Sequence, residues 1–182
     1  PTGNQIQFSY VFGSEEYNEF IGQFNDVFGF FVNGVNKALI PGTSTPVSIN
    51  NINCGFSAPG TTPPGPGTHC NLFVNNDPPT HNTQLDGYTT ILTFTASVNP
   101  NVPNTLKIAI ADTSDGELDS AVFIAGGSLS VCGGEGQPPC APPPPPPGGG
   151  NTAVPVPTMS EWALALMILL AGIFGAVAIR RR

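Results

Sequence analysis

Positive charge is nearly absent from most of this chain of 182 residues. Only 9% of the residues are charged, and up to Cys140 there are 11 acidic residues against two bases, Lys37 and Lys107. Such a surface repels the phosphate backbone of nucleic acids, which argues against nucleic-acid binding. The same surface attracts cations.

Signatures of common catalytic sites are also missing. The sequence has no GxSxG motif, and its two histidines, His69 and His81, occupy loop-like segments. We therefore expect no enzymatic activity. The alternative is a glycoside hydrolase that uses the pair Glu15 and Glu16 with Asp112, because that chemistry needs two carboxyl groups.

The chain begins at Pro1 without an initiator methionine or a signal peptide, and strand-like sequence starts almost at once. We expect it to be the C-terminal piece of a longer precursor whose export signal lies upstream.

Glycine and proline are abundant, with 22 and 21 copies, and the apolar residues alternate in short runs. Seven or eight short strands without a long helix predict an all-β fold, either an antiparallel β-sandwich or a jelly roll. The run 27–32 is apolar enough for a strand buried on both faces, and Asn33-Gly34 favours a tight hairpin turn after it. The predicted strands are 5–12, 27–32, 35–40, 47–52, 88–98, 106–111, 121–125 and 128–131.

The remaining segments are predicted to be loops. Residues 13–25 are polar and acidic, with one helical turn expected around Glu16 to Phe20, and residues 54–79 are rich in glycine and proline. Strands 121–125 and 128–131 are expected to form a closing pair around Gly126-Gly127.

Four cysteines, at 54, 70, 132 and 140, suit disulfides in an exported chain, and three connectivities are possible. We predict the local pairing, Cys54 with Cys70 and Cys132 with Cys140. Zinc binding is the alternative, but no two cysteines have CxxC spacing and only His69 adjoins one of them.

Two acidic clusters are the candidate metal ligands. One lies in the aromatic-rich stretch Ser9–Gly34, and the other follows the predicted strand that ends at Ala111. Crowded carboxylates repel one another, and a hard cation relieves this repulsion, so we expect a calcium site. Its predicted ligands come from both clusters: Glu15, Glu16, Asp112, Asp115 and Asp119.

A solvated acidic loop is the alternative interpretation, in which Asp112 or Asp119 caps turns by binding backbone amides. For Asp26, which directly precedes strand 27–32, we expect hydrogen bonds to backbone N–H groups of the adjoining loop.

The composition changes after Cys140. A linker rich in proline and glycine, residues 141–155, comes first. The apolar run 162–179 lies beyond it and is followed by three arginines. Eighteen residues at about 1.5 Å each are long enough to cross a hydrocarbon core. By the positive-inside rule the arginines stay in the cytoplasm, which places the preceding domain, residues 1–140, outside.

Residues 156–162 read VPTMSEW and are followed by the apolar run and the three arginines. This C-terminal region, residues 156–182, resembles the IPTL-CTERM sorting signal, a relative of the PEP-CTERM signals of Gram-negative bacteria. The resemblance implies recognition by an exosortase-type membrane protease and loss of the transmembrane segment from the mature protein. A permanent membrane anchor is the alternative. The precursor would be anchored in the inner membrane, and the mature domain would be periplasmic, at the cell surface or extracellular. The residues of the motif are Val156, Pro157, Thr158, Met159, Ser160, Glu161 and Trp162.

Four segments carry a second resemblance, which covers roughly residues 4–132: YVFGSEEYNEFIG, FNDVFGFFVNG, the INN before Cys54, and IADTSDGELDSAVFI. This resemblance is to the choice-of-anchor L domain. It implies a bacterial extracellular domain with varied C-terminal anchors. We therefore expect a non-catalytic structural or adhesive domain, with a carbohydrate-binding module that contacts surface polysaccharide as the alternative.

Overall fold

The structure is a computed structural model that describes residues 1–113 and 115–142. Within these residues the chain is all-β and antiparallel, as expected, with nine strands in two sheets and two short 3-10 helices, Ile49–Asn51 and Cys70–Leu72. The strands are β1 (Gln5–Ser14), β2 (Val27–Val32), β3 (Val35–Asn36), β4 (Phe73–Asn75), β5 (Gly87–Thr89), β6 (Leu92–Ser97), β7 (Leu106–Ala111), β8 (Ser120–Ile124) and β9 (Ser130–Cys132).

Strand β1 is the centre of the six-stranded sheet. Along one edge it pairs with β6 and then with β5, which in turn pairs with β4. Along the other edge it pairs with β8 and β9. The side chains that alternate along it are at most 5% exposed, which confirms the predicted amphipathic strand: Ile6, Phe8, Tyr10 and Phe12.

The second sheet has three strands in the order β3-β2-β7. The turn between β2 and β3 is Asn33-Gly34, whose φ angles of 49° and 82° are those that a tight hairpin turn requires. Strand β2 buries Phe28 and Phe30 on one face, but Phe31 on the other face is only half-buried. The prediction that β2 is buried on both faces is therefore wrong for its outer face.

Aromatic rings join the two sheets into a sandwich. The Phe8 and Phe30 ring centroids lie 4.5 Å apart, and those of Tyr10 and Phe28 lie 4.7 Å apart. Phe94 of β6 also contacts Phe30, at 4.9 Å. Each of these pairs links a strand of the larger sheet to β2, so the core lies between the two sheets.

Two strands are shorter than predicted. Strand β3 ends at Asn36, because the side-chain oxygen of Asn36 accepts the backbone N–H groups of Phe30 and Ala38 and so replaces the ladder. The predicted strand 88–98 is split into β5 and β6. At this break the Thr89 hydroxyl accepts the N–H of Phe12.

The prediction of a strand at 47–52 is wrong. Apart from an isolated bridge between Ser48 and Val27, this segment forms the 3-10 helix Ile49–Asn51. Val47, Ile49 and Ile52 are fully buried, so the apolar pattern was produced by packing into the core rather than by a strand.

The predicted loop 54–79 contains strand β4. Its Phe73 is 9% exposed and packs on the buried ring of Tyr17, with centroids 4.7 Å apart. Three residues, the last of them polar, give too short a pattern for a strand to be recognised from sequence.

Strands β8 and β9 do not pair with each other, contrary to prediction. Both pair with β1, β8 opposite its residues 10–14 and β9 opposite its residues 5–7. Gly127, with φ of 73°, lies in the turn between them. They are therefore two pieces of one edge strand, interrupted by residues 125–129.

The apolar face of β7 is partly exposed to solvent. Leu106, Ile108 and Ile110 lie on the same face as the buried side chains of β2, yet they are between 42% and 51% exposed.

Both disulfides form with the predicted local pairing. Cys54 bonds to Cys70 and closes the loop that leads to β4, and Cys132 bonds to Cys140 beyond the end of β9. All four cysteines are thus used.

The predicted linker from residue 143 onward, the sorting motif 156–162 and the predicted transmembrane helix 162–179 lie outside the described residues. Neither of the two helices in the described part of the chain has the length and apolar character that crossing a membrane requires.

Candidate metal centre

Strand pairing brings the two acidic clusters together. Ser14, the last residue of β1, pairs with Ser120, the first residue of β8. Val27, the first residue of β2, pairs with Ala111, the last residue of β7. The residues just beyond these four strand ends therefore meet at one end of the sandwich, as the prediction of a composite feature required.

Glu15 and Asp119 form the first contact between the clusters. The Glu15 backbone N–H donates to the carbonyl of Asp119 at 3.0 Å, and the Asp119 N–H donates to Glu15 Oε2 at 3.0 Å. The Glu15 carboxylate is thereby used to hold the loop between β7 and β8 against the end of β1.

Asp26 forms the second contact. Its Oδ1 accepts the backbone N–H of Thr113 at 3.2 Å, and its Oδ2 accepts the hydroxyl of Ser120 at 2.6 Å. Asp26 is fully buried, so these bonds compensate part of the cost of removing its carboxylate from water. The backbone donor is Thr113 of the loop after β7, whereas the expected donors were N–H groups of the loop that adjoins Asp26 in sequence.

Glu16 is buried in the same place but has no such partners. Its side chain is 1% exposed, and neither Oε1 nor Oε2 makes a hydrogen bond with any described residue. Burial, together with the negative charges of Asp26, Asp115 and Asp112, raises the pKa of Glu16 to about 7. Burying a polar group without a hydrogen bond costs about 2–7 kcal/mol of folding free energy.

Three carboxylates converge here. One oxygen each of Glu16, Asp26 and Asp112 lies within 4.8 Å of the others. Glu16 and Asp26 form the buried side of the group, and Asp112 forms its exposed side. Oxygens at this spacing can all reach one ion of calcium size, whose ligand distances are about 2.3–2.6 Å.

The other predicted ligands are placed differently. Asp115 Oδ1 is the acceptor for the N–H of Glu117, within its own exposed loop, and Asp119 is held by Glu15. Of the five residues predicted from sequence, the compact group contains Glu16 and Asp112.

Sequence reasoning did not select Asp26 as a ligand. It is a single acid in front of a strand, which is also the usual place for a residue that only binds backbone amides. The signal that could have found it is the register of β2 with β7. This register places Asp26 beside Asp112, because each lies one residue beyond the pair Val27 and Ala111.

Asp86, before β5, lies near the first acidic cluster but outside the compact group of three carboxylates. Burial, and then the negative charges of Glu19, Asp77 and Glu15, raise the pKa of Asp86 to about 6. A carboxyl group with a raised pKa binds its proton more tightly in the folded state, so its contribution to stability is present below pH 4 and is lost as the pH rises towards 6.

We therefore expect Asp86→Asn to gain free energy of unfolding relative to the wild type as the pH rises from 4 to 7. Urea denaturation at several pH values measures this difference. Glu135→Gln, an exposed acid on another loop, is the control and should track the wild type at every pH. Parallel pH profiles for Asp86→Asn and the wild type would contradict the expectation.

Two family models match the chain. The model of the choice-of-anchor L domain matches residues 1–130, and the model of the IPTL-CTERM motif matches residues 154–182. Both resemblances stated from the sequence are confirmed. No curated protein and no solved structure matches the chain at a significant level.

Proposed function

The chain belongs to the choice-of-anchor L family, and we propose that its β-sandwich has a structural or adhesive role at the cell surface or in the extracellular matrix. The observation that carries the proposal is the IPTL-CTERM match at residues 154–182, because a sorting signal after a folded domain marks that domain as exported cargo. The two disulfides support it, since they suit an oxidising compartment outside the cytoplasm.

The sorting step assigns a role to each part of the C-terminal region. Residues 162–179 would cross the inner membrane in the precursor, with the three terminal arginines in the cytoplasm. An exosortase-type protease would then recognise residues 156–162 and cut near them. The released or transferred domain would be periplasmic, at the cell surface or extracellular.

Mass spectrometry of the mature protein from its native host tests this proposal. The mature chain is expected to lack Arg182 and the apolar segment, with a new C-terminus near residues 156–162. The double variant Pro157→Ala, Thr158→Ala keeps the apolar segment and should accumulate as the uncut precursor. An intact Arg182 terminus in the wild type would contradict sorting by cleavage.

The proposed role is non-catalytic. A glycoside hydrolase that used Glu15 or Glu16 with Asp112 would have to expose two carboxyl groups to a sugar. Glu16 is 1% exposed and the Glu15 carboxylate is bonded to Asp119, which leaves Asp112 as the exposed member of that set. Turnover of polysaccharide substrates that Glu16→Gln abolished would favour the hydrolase instead.

A carbohydrate-binding module is the second candidate. Two aromatic rings, Phe56 and Phe123, are more than half exposed, and exposed rings offer an apolar face to a ligand. Binding to a glycan array that Phe56→Ala or Phe123→Ala removed would favour this function over a purely structural one.

Calcium is the proposed stabilising ion of the acidic loops. The supporting observations are the excess of acidic over basic residues before Cys140 and the contact between the two acidic clusters. Calcium prefers oxygen ligands, which these clusters supply.

A further inference from the structure

We infer that Glu16, Asp26 and Asp112 form a calcium centre that ties the end of β1 and the start of β2 to the loop after β7. The inference deepens the calcium part of the proposed function and revises its ligands. Asp26 is added, whereas Glu15 and Asp119 become residues that position the two loops.

The unpartnered carboxyl group of Glu16 is the observation that distinguishes this group from an ordinary acidic loop. Both of its oxygens are buried and without hydrogen bonds, and the side chain is directed into the space shared with Asp26 and Asp112. Protonation would remove the charge of Glu16 and allow one hydrogen bond to a neighbouring carboxylate, but it would leave the charges of Asp26 and Asp112 uncompensated. A bound cation gives these oxygens a partner and also neutralises Asp26 and Asp112.

Basic side chains are scarce in the described part of the chain. Lys37 and Lys107 are the only lysine or arginine residues among the first 142 residues. Lys107 lies five residues before Asp112 along β7, and its ammonium group lies 5.9 Å from the centroid of the Phe31 ring. An ion from solution is therefore the available counter-charge for three converging carboxylates.

The ligand chemistry favours calcium over zinc or magnesium. All three side chains offer oxygen, whereas zinc prefers nitrogen and sulfur, and the four cysteines are committed to disulfides. Magnesium demands a near-ideal octahedron at short distances, whereas calcium accepts irregular sets of six to eight oxygens. Asp26 is held in place by Thr113 and Ser120, so the site has a fixed side and an exposed side at Asp112.

The expected role of the ion is structural. The three ligands come from three segments: the end of β1, the start of β2 and the loop after β7. Apart from the ion, hydrogen bonds of Glu15 and Asp26 hold the first two segments to Thr113, Asp119 and Ser120. Removing the ion should therefore loosen the loop between β7 and β8 and leave the aromatic core in place. The loop should then be cut by proteases in EDTA and protected in calcium.

Isothermal titration calorimetry of the full chain, purified in a mild detergent and stripped with EDTA, tests the inference with calcium chloride as the probe. One calcium ion per chain is expected, and magnesium at the same concentration should bind more weakly. Asp112→Asn should weaken calcium binding at least about tenfold. Glu117→Gln, an exposed acid of the same loop, is the matched control and should bind calcium as the wild type does.

Thermal unfolding gives a second readout. Glu16→Gln keeps the size of the side chain but removes its charge, so the rise in melting temperature with calcium should disappear. If this buried variant fails to fold, Asp112→Asn at the exposed position still decides the question. No binding heat and equal melting temperatures in EDTA and calcium would overturn the inference, as would wild-type affinity in Asp112→Asn. Mass spectrometry of the mature C-terminus tests the sorting proposal without reference to calcium. A failure of the calcium inference can therefore be distinguished from a failure of the sorting proposal.

Discussion

Replacing Phe30 with alanine is expected to lower the free energy of unfolding by about 3–5 kcal/mol. Phe30 is 2% exposed, and its ring contacts both Phe8 and Phe94 of the opposite sheet. The variant would leave a cavity at the centre of the sandwich, where aromatic rings of the two sheets pack against each other. Urea denaturation followed by circular dichroism measures the loss.

Phe56→Ala is the matched control, because it removes the same side chain from a position that is 58% exposed. Its effect should stay within about 0.5 kcal/mol, as for most surface substitutions. Equal losses in Phe30→Ala and Phe56→Ala would show that the ring at residue 30 is not part of the core.

Removing the disulfide between Cys54 and Cys70 is expected to cost about 3 kcal/mol. The bond closes a loop with a sequence separation of 16 residues, so its loss restores conformational freedom to the unfolded chain. The double variant Cys54→Ala, Cys70→Ala isolates this effect, and denaturation without reducing agent measures it.

The second disulfide provides the comparison. Cys132 and Cys140 are separated by only eight residues, so their replacement by alanine should cost slightly less, about 2.5 kcal/mol. If the variant without the Cys132–Cys140 bond lost more free energy of unfolding, packing contacts of Cys132 would outweigh the loop-closure entropy of the unfolded chain. Cys132 is 3% exposed.

Strands β1 and β7 could be predicted because the alternation of apolar residues along them is long and uninterrupted. Strand β1 alternates over eight residues, and β7 does so over six. In both cases an apolar residue recurs at every second position, which indicates a strand with one apolar face. The segment 47–52 was misassigned because its buried residues satisfy the same apolar pattern in a 3-10 helix, where contacts with the core rather than the backbone period decide which residues are buried.

The pairing of β8 and β9 could not be read from the sequence. Two short strands around Gly126-Gly127 are typical of a hairpin. The other possibility, in which both strands pair with β1, depends on the length of β1. Since β1 has ten residues, one of its edges can pair with both pieces in succession.

The meeting of the two acidic clusters was predicted, but the membership of the compact group of three carboxylates was not, since it contains Asp26 beside Glu16 and Asp112. The carboxylate density near Asp112 and Glu16 is visible in the sequence. Which acids point inward depends on strand register and on local hydrogen bonds. These bonds fix the carboxylate of Asp26 and hold Glu15 against Asp119, whereas Glu16 is buried beside Asp26 without a bond of its own. These bonds depend on tertiary structure, so no local pattern encodes them.

Crystallography with anomalous scattering tests the metal centre most directly. A crystal of the protein grown with calcium should give one anomalous difference peak at this end of the sandwich, with oxygens of Glu16, Asp26 and Asp112 at about 2.3–2.6 Å from it. Well-ordered density for the three side chains without a peak among them would contradict the account, and so would a peak coordinated by Asp115 and Glu117 instead.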